Sequence, residues 1–425
     1  MSYIAERMGT IYRLMYRYIY LNILKLGNSI MHVFAPRHTC SVAIIDDLSP
    51  HPTGAFRSSE FSWLMQRIPG AYLFNTLATK VSKRKQYRYF TTFSVAEFNK
   101  NKSLFSKEFN IEGRRIQPFF PWTKIDTKLA YIAFLHNAYY MIDYLEENNI
   151  KFILELYPGG GFTVLTEGPG YEMLKRVLSS PCLVTVFVTM KLSNRFLREQ
   201  KLCDESKITY FYGGILSPKL FGLPAKTIKY PYNKNTIDIC FVASKYTPQG
   251  LDKGYDIFID MAHMLLAQKD IFRFHVVGGF VAEDIPIDPA YKHCFSFYGY
   301  LDSSVFAEFY KDKDIFVSPT RPFMIAKGAF DGFPTGTCAE AGLNGLCMML
   351  SDPLDMNEGF VNYEDIVILE NDPKQFADAI LKLSDTPDEI YRIGNNSKIG
   401  IELDPPERQL SFRVSLIEKY MAQNN

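Results

Sequence analysis

Asp331 and Glu340 bracket a run of small, turn-forming residues, Gly332-Phe333-Pro334-Thr335-Gly336-Thr337, that leads into Cys338-Ala339-Glu340-Ala341. Crowded Gly, Pro and Thr admit no hydrophobic period, so the run begins as a loop. It ends as a helix starting near Thr335 or Thr337, either of which can cap free N–H groups. A glycine-lined loop entering a helix N-terminus is a phosphate cradle, because its amides point outward and the helix dipole is positive there. The flanking carboxylates suit sugar hydroxyls. The same residues also make an ordinary loop-to-helix junction. Upstream, Phe241-Val242-Ala243 runs to Lys245, and Lys253 sits in Asp252-Lys253-Gly254-Tyr255-Asp256. Fixed ammonium groups there would favour an anionic ligand; the plainer reading is surface solubility.

Apolar runs closed by polar residues must position these groups. Ile237–Val242, Phe272–Val277, Ser296–Tyr298, Ile315–Ser318 and Cys347–Leu350 read as buried parallel strands, with helices such as Tyr255–Gln268 and Ser303–Lys311 between them. An earlier series begins at Ser41–Asp47 and continues with Lys151–Leu156, Leu183–Thr189 and Ile208–Gly214; Ala130–Asn148 reads as a helix. Strands alternating with helices imply crossover connections and a parallel sheet. The expected organisation is therefore a first Rossmann-like domain over 1–228, a linker at 229–236 and a second such domain over 237–400. A helix at 401–425 carries Gln409 and Arg413. Ligands in open parallel sheets lie beyond the strand C-termini, where the motifs above all fall.

In order and spacing, the Val242–Lys253 segment, Phe297-Tyr298-Gly299-Tyr300-Leu301, Asp314–Pro319 and the Asp331–Glu340 stretch resemble the C-terminal half of retaining nucleotide-sugar glycosyltransferases. The family is that called glycosyl transferases group 1, and the likeness covers Thr236 to Ser397. It implies the GT-B fold, an α/β architecture of two Rossmann-like domains facing a central cleft. It further implies a phosphate-binding role for Lys253, with Lys245 one residue from the family's arginine position. Glu340 matches the carboxylate that holds ribose hydroxyls. Asp331 stands near the sugar-contacting carboxylate, but the pair encloses eight residues where the family has seven. Gly332, Phe333, Pro334, Thr335, Gly336 and Thr337 would reach the sugar or β-phosphate, and Gly299, Tyr300 and Leu301 the nucleobase. After the first strand, Gly54 matches a donor-facing glycine, with Arg57 and Glu60 behind it. Gly159, Gly160 and Gly161, which follow a strand, would face the acceptor; equally, they give a tight turn. The helix at the end of the chain would cross back onto the first domain.

At 425 residues, 47% apolar and 22% charged, the chain suits two globular domains. Its net charge of +1 hides a division: residues 1–230 hold 30 Lys/Arg against 17 Asp/Glu, and the remainder the reverse excess. A basic half implies an acidic counterpart. Candidates are an anionic membrane surface, a phosphate-bearing acceptor or the other half, while nothing matches a nucleic-acid motif. Ile4–Phe34, a basic aromatic helix, either lies in a membrane interface or packs on its domain. Lys80–Tyr89 is a solvated basic loop or a headgroup contact. Seven scattered cysteines without a CxxC pair suggest reduced thiols and a cytoplasmic protein, peripheral on the inner membrane face if the basic segments bind lipid. No metal-ligand spacing is evident, so neither metal nor cofactor is expected. The expected reaction moves a hexose from a nucleotide sugar, UDP-linked, to a saccharide or lipid-linked acceptor. A non-catalytic scaffold of the same fold and a sugar-nucleotide epimerase are the alternatives.

Overall fold

The computed structural model describes residues 35, 37–51, 55–76, 79–82, 86–89, 95–120, 122–301 and 305–423. The Ile4–Phe34 segment, Gly54 and Lys83–Lys85 lie outside them. The first sheet comprises β1 (Ala43–Asp46), β2 (Tyr72–Asn75), β3 (Ile116–Pro118), β4 (Leu129–Ala133), β5 (Lys151–Leu156), β6 (Leu183–Val188) and β7 (Ile208–Tyr210). Their order is β7-β6-β5-β4-β1-β2-β3, and every pairing is parallel. The second comprises β8 (Ile237–Val242), β9 (Phe272–Val277), β10 (Phe295–Phe297), β11 (Ile315–Ser318), β12 (Cys347–Ser351) and β13 (Val367–Leu369). It runs β10-β9-β8-β11-β12-β13, again all parallel. Strand order reverses between β1 and β4 in one sheet and between β8 and β11 in the other. Loops leaving these adjacent strands diverge to opposite faces and open a crevice at the C-terminal ends, the usual ligand position in such sheets.

Covered on both faces by crossover helices, the central strands are almost wholly buried: every residue of β1, β4 and β8 is. The helix expected over Ala130–Asn148 is corrected here. Leu129–Ala133 is the strand β4, paired with β1 and β5, and the helix occupies only Leu135–Glu147. Phe134, at φ 69°, makes the corner between them. A fully apolar central strand carries no alternation, so the helical period downstream masked the boundary.

Two cores lie on the second sheet's far face and the first sheet's outer face, and a third runs through both domains. That third core joins Phe162, Met190 and Phe196 of the first to Phe330, Phe333 and Cys338 of the second. Helix Pro406–Ala422 buries Val414 and Ile417 against the first domain's outer core. Its Arg413, fully buried, donates Nε and Nη2 to Glu155 at 3.1 and 3.0 Å and stands 3.8 Å from Glu60. Tyr131 bridges both carboxylates, Tyr157 donates to Glu60 at 2.9 Å, and the guanidinium lies 4.1 Å from the centre of the Phe211 ring. One cation thus serves two buried carboxylates. Burial first, and the Glu155 carboxylate second, push Glu60 up to about 7, so Glu60 readily takes a proton.

Candidate active site

Lys253 occupies the crevice of the second sheet. The loop after β8 ends in Gly254, at φ 69°, where an added Cβ would lie 2.1 Å from the Pro319 carbonyl oxygen. Only glycine lets the β8 and β11 loops approach so closely. Arg321 N–H donates to Asp252 O at 3.0 Å and Arg321 Nη2 to Asp256 at 2.7 Å, closing the same junction. Lys253 follows Asp252 with its side chain only 9% exposed; its ammonium bonds the Asp331 carboxylate and stands 3.9 Å from Asp252 and 5.1 Å from the Tyr246 ring centre. A buried ammonium needs such a counter-charge. The fold thus brings Lys253 and Asp331 together from 78 residues apart.

From Asp331 the chain enters the loop Gly332–Thr335, and the helix begins at Gly336, running to Leu343. Thr335 is the residue before it, as expected. Its hydroxyl caps no N–H and instead meets Thr337 Oγ1 at 3.2 Å and Cys338 Sγ at 3.0 Å. The capping expectation is therefore corrected: the first-turn amides are not taken by this side chain. Asp331, Gly332, Phe333, Thr335 and Cys338 border a small pocket with Ser318, Thr320 and Ser351. Glu340 sits one turn into the helix, partly exposed, and among the described residues its carboxylate has no hydrogen-bond or ion-pair partner. Desolvation alone raises its pKa to about 7. A carboxylate kept short of both water and partners is set to accept hydroxyl donors.

The other candidates divide. Lys245 also follows β8, but its ammonium is held by Asp284 at 2.5 Å. Tyr300, 69% exposed after β10, places its hydroxyl beside Gly279, and Gly299 at φ 65° makes the turn before it, with Leu301 following. Arg57, on helix Ala55–Arg67, is spent within its own domain: Nη1 bonds Asp46 and Asp47, each at 2.8 Å, and the guanidinium stacks 4.2 Å from the Phe134 ring centre. Gly159, Gly160 and Gly161 all have positive φ in the loop after β5. A Cβ on Gly160 would meet His136 Nδ1 at 2.6 Å and one on Gly161 the Met173 side chain at 2.7 Å, so a tight turn accounts for both.

The sequence reading missed His136 and Asp47. His136 Nε2 lies 2.8 Å from Asp47 Oδ2, and Nδ1 3.1 Å from Gly160 O. Both residues leave the crevice of the first sheet, one after β4 and the other after β1. The same Gly160 loop continues to Val164, whose N–H donates to Gly328 O at 3.0 Å, and Phe162 packs edge-on to Phe330. The imidazole–carboxylate pair therefore stands at the side of the first domain that meets the second. The signal available was a histidine just past a buried apolar run. Among the described residues one Asp/His/Cys group, Asp270, His293 and Cys294, has ligand atoms within 4.8 Å of one another. It lies at the N-terminal ends of β9 and β10, the far end from Lys253. Arg273 Nη1, 3.3 Å from Asp270 and 3.9 Å from Cys294 Sγ, puts positive charge where a cation would sit. No described helix is long and apolar enough to cross a membrane.

Known structures share this architecture. Sucrose-phosphate synthase from Thermosynechococcus elongatus superposes with a TM-score of 0.62 at 13% identity, covering 91% of this chain and 100% of that one. A glycosyltransferase from Rickettsia africae gives 0.59 at 15%, covering 92% and 100%. HepE from Anabaena, solved with UDP and glucose, gives 0.59 at 10%, covering 91% and 99%. At such identities these likenesses establish the fold, which is GT-B. No protein of curated function matches the chain by sequence. The sequence profile described as glycosyl transferases group 1 matches residues 236–386, the span that carries Lys253, Asp331 and Glu340. Over residues 236–386, within a whole-chain GT-B fold, the chain matches the glycosyl transferases group 1 family.

Proposed function

We propose that the protein transfers a hexose from a nucleotide sugar, UDP-linked, to a saccharide or lipid-linked acceptor, with retention at the anomeric carbon and without a metal. The observation that carries this is a sheltered lysine bonded to Asp331, together with an unpartnered carboxylate on the helix into which the Asp331 loop leads. Cleaving the sugar–phosphate bond sends negative charge onto the leaving diphosphate. Lys253 would neutralise it: at about 3 Å and an effective dielectric of 20, one ammonium–phosphate contact is on the order of 5 kcal/mol before desolvation. Glu340 would accept the ribose hydroxyls, fixing the nucleotide along the helix. The Gly332–Thr337 amides face the sugar and β-phosphate, and Tyr300 with Leu301 the base. His136, oriented by Asp47, stands across the cleft as a group for sugar or acceptor hydroxyls. HepE, of the same fold, is bound to UDP and glucose, which supports the donor class.

Retention rests on the family resemblance, and surface-polysaccharide assembly on analogy. The basic first half supports an anionic acceptor or membrane face at the cytoplasmic side. The rival is a non-catalytic scaffold, favoured by one observation: Asp331 already occupies the Lys253 ammonium. The deciding experiment incubates purified protein with UDP- and GDP-sugars and mixed saccharide acceptors. It follows nucleotide release and thermal stabilisation, beside Lys253→Ala and Glu340→Ala. Release from a UDP-sugar that both substitutions abolish establishes the transferase. Neither stabilisation nor release with any nucleotide sugar establishes the scaffold.

A further inference from the structure

We propose that Tyr212, a residue of the first domain, is the positioning residue for the donor loop of the second; the idea rests on the nucleotide-sugar reading above. Tyr212 follows β7, and its hydroxyl donates to the Phe333 carbonyl oxygen at 2.8 Å across 121 residues of chain. That carbonyl lies inside the Gly332–Thr337 segment. The next residue, Pro334, has no N–H, so the loop has one backbone tie fewer of its own. Met190, after β6, closes the other side: a Cβ on Gly332 would stand 3.4 Å from its Sδ. The ends of two first-domain strands therefore grip the loop.

Tyr212 is itself fixed. The following amide, Gly213 N–H, donates to Thr189 O at 3.1 Å, and Gln409 Nε2 reaches Tyr212 O at 3.5 Å while bonding Asp404 at 2.6 Å. Burial pushes the phenol well above its ordinary pKa, so the hydroxyl stays a donor across the working pH range. A hydrogen bond from a braced donor to the one loop that faces sugar and β-phosphate sets where those amides point. Geometry of this kind acts on the transition state more than on ground-state nucleotide binding.

The test is Tyr212→Phe, which keeps the ring and removes the hydroxyl. Turnover of the nucleotide sugar should fall about tenfold, the worth of one neutral hydrogen bond. Affinity for the nucleoside diphosphate alone should stay within about twofold, since Glu340 and Lys253 are untouched, and the unfolding temperature within about 2 °C. Amide exchange over residues 328–338 should quicken, a readout that needs no substrate. Unchanged exchange, or wild-type turnover, overturns the role of Tyr212. So does a parallel loss of turnover, diphosphate affinity and thermal stability, which marks a merely structural contact. A wild-type protein that binds no nucleotide sugar, with exchange still quickened in the variant, instead overturns the donor reading, so the two failures are told apart.

Discussion

Donor binding should release a proton, and Glu340 should be its source. In the empty site desolvation holds this carboxyl at about 7 against an ordinary value of 4.5. Ribose hydroxyls that donate to it favour the charged form and bring its pKa back toward that ordinary value. With 7 free and about 4.5 bound, linkage makes affinity rise about 20-fold from pH 5.5 to 7.5, roughly 1.8 kcal/mol, and level off above. At pH 7 about half a proton leaves per donor bound. The phosphates of a nucleotide sugar are diesters and do not titrate in this range, so the signal belongs to the protein. Calorimetry in two buffers of different ionisation enthalpy counts the protons, and Glu340→Gln should abolish both the release and the slope. The sign for stability is opposite: an acid raised on folding costs stability above its folded pKa and nothing below its unfolded one. Glu340→Gln should therefore raise the unfolding temperature at pH 8 and leave it unchanged at pH 4.5. A pH-independent affinity in the wild type, or the same slope in Glu340→Gln, refutes the assignment of this carboxylate to the donor.

Other perturbations test the frame around the site. Arg413→Met leaves Glu155 and Glu60 buried without their cation, a loss of about 3–5 kcal/mol, and the first domain should melt about 10 °C lower at pH 7. Because Glu60, at about 7, takes a proton, the loss should shrink at pH 5, as unfolding curves at the two pH values would show. Asp331→Asn frees the Lys253 ammonium: titration should find nucleoside diphosphate bound about tenfold more tightly, about 1.4 kcal/mol, while the empty protein becomes less stable. Gly278→Ala places a Cβ 1.9 Å from Ala243 O at φ 125°. It should cost several kcal/mol, read as a lowered melting temperature by circular dichroism.

What the sequence disclosed follows from where the information lies along the chain. Ile237–Val242 and Lys151–Leu156 are mostly apolar runs, broken only by Asp238 in the one and Glu155 in the other, and their boundaries could be placed to the residue. Lys253 and Glu340 stood out in the sequence as candidates because each belongs to a short motif whose spacing is set by one loop and one helix turn. The pair of Lys253 with Asp331 did not, since it forms only when β8 and β11 become neighbours. His136 was hidden by a cascade of the same kind. With β4 read as the start of a helix, the histidine appeared mid-helix instead of at the mouth of the crevice, and Asp47, 89 residues away, had no visible partner.

The two crevices meet the same electrostatic demand in different ways. In the first domain the charges close on themselves: Arg57 serves Asp46 and Asp47, His136 takes the remaining Asp47 oxygen, and Arg413 serves Glu155 and Glu60. Such a face is stable when empty and offers hydroxyl-scale contacts more than net charge. In the second domain the ledger is left open, with Glu340 unpartnered and Lys253 held by a carboxylate that is itself partly exposed. An unpaired, desolvated carboxylate costs stability in the empty protein and persists only where a ligand repays it. On the function proposed above, that asymmetry would assign charged-ligand chemistry to the second domain and leave the first to orient what approaches it, the division of labour that a transfer between two bound substrates requires.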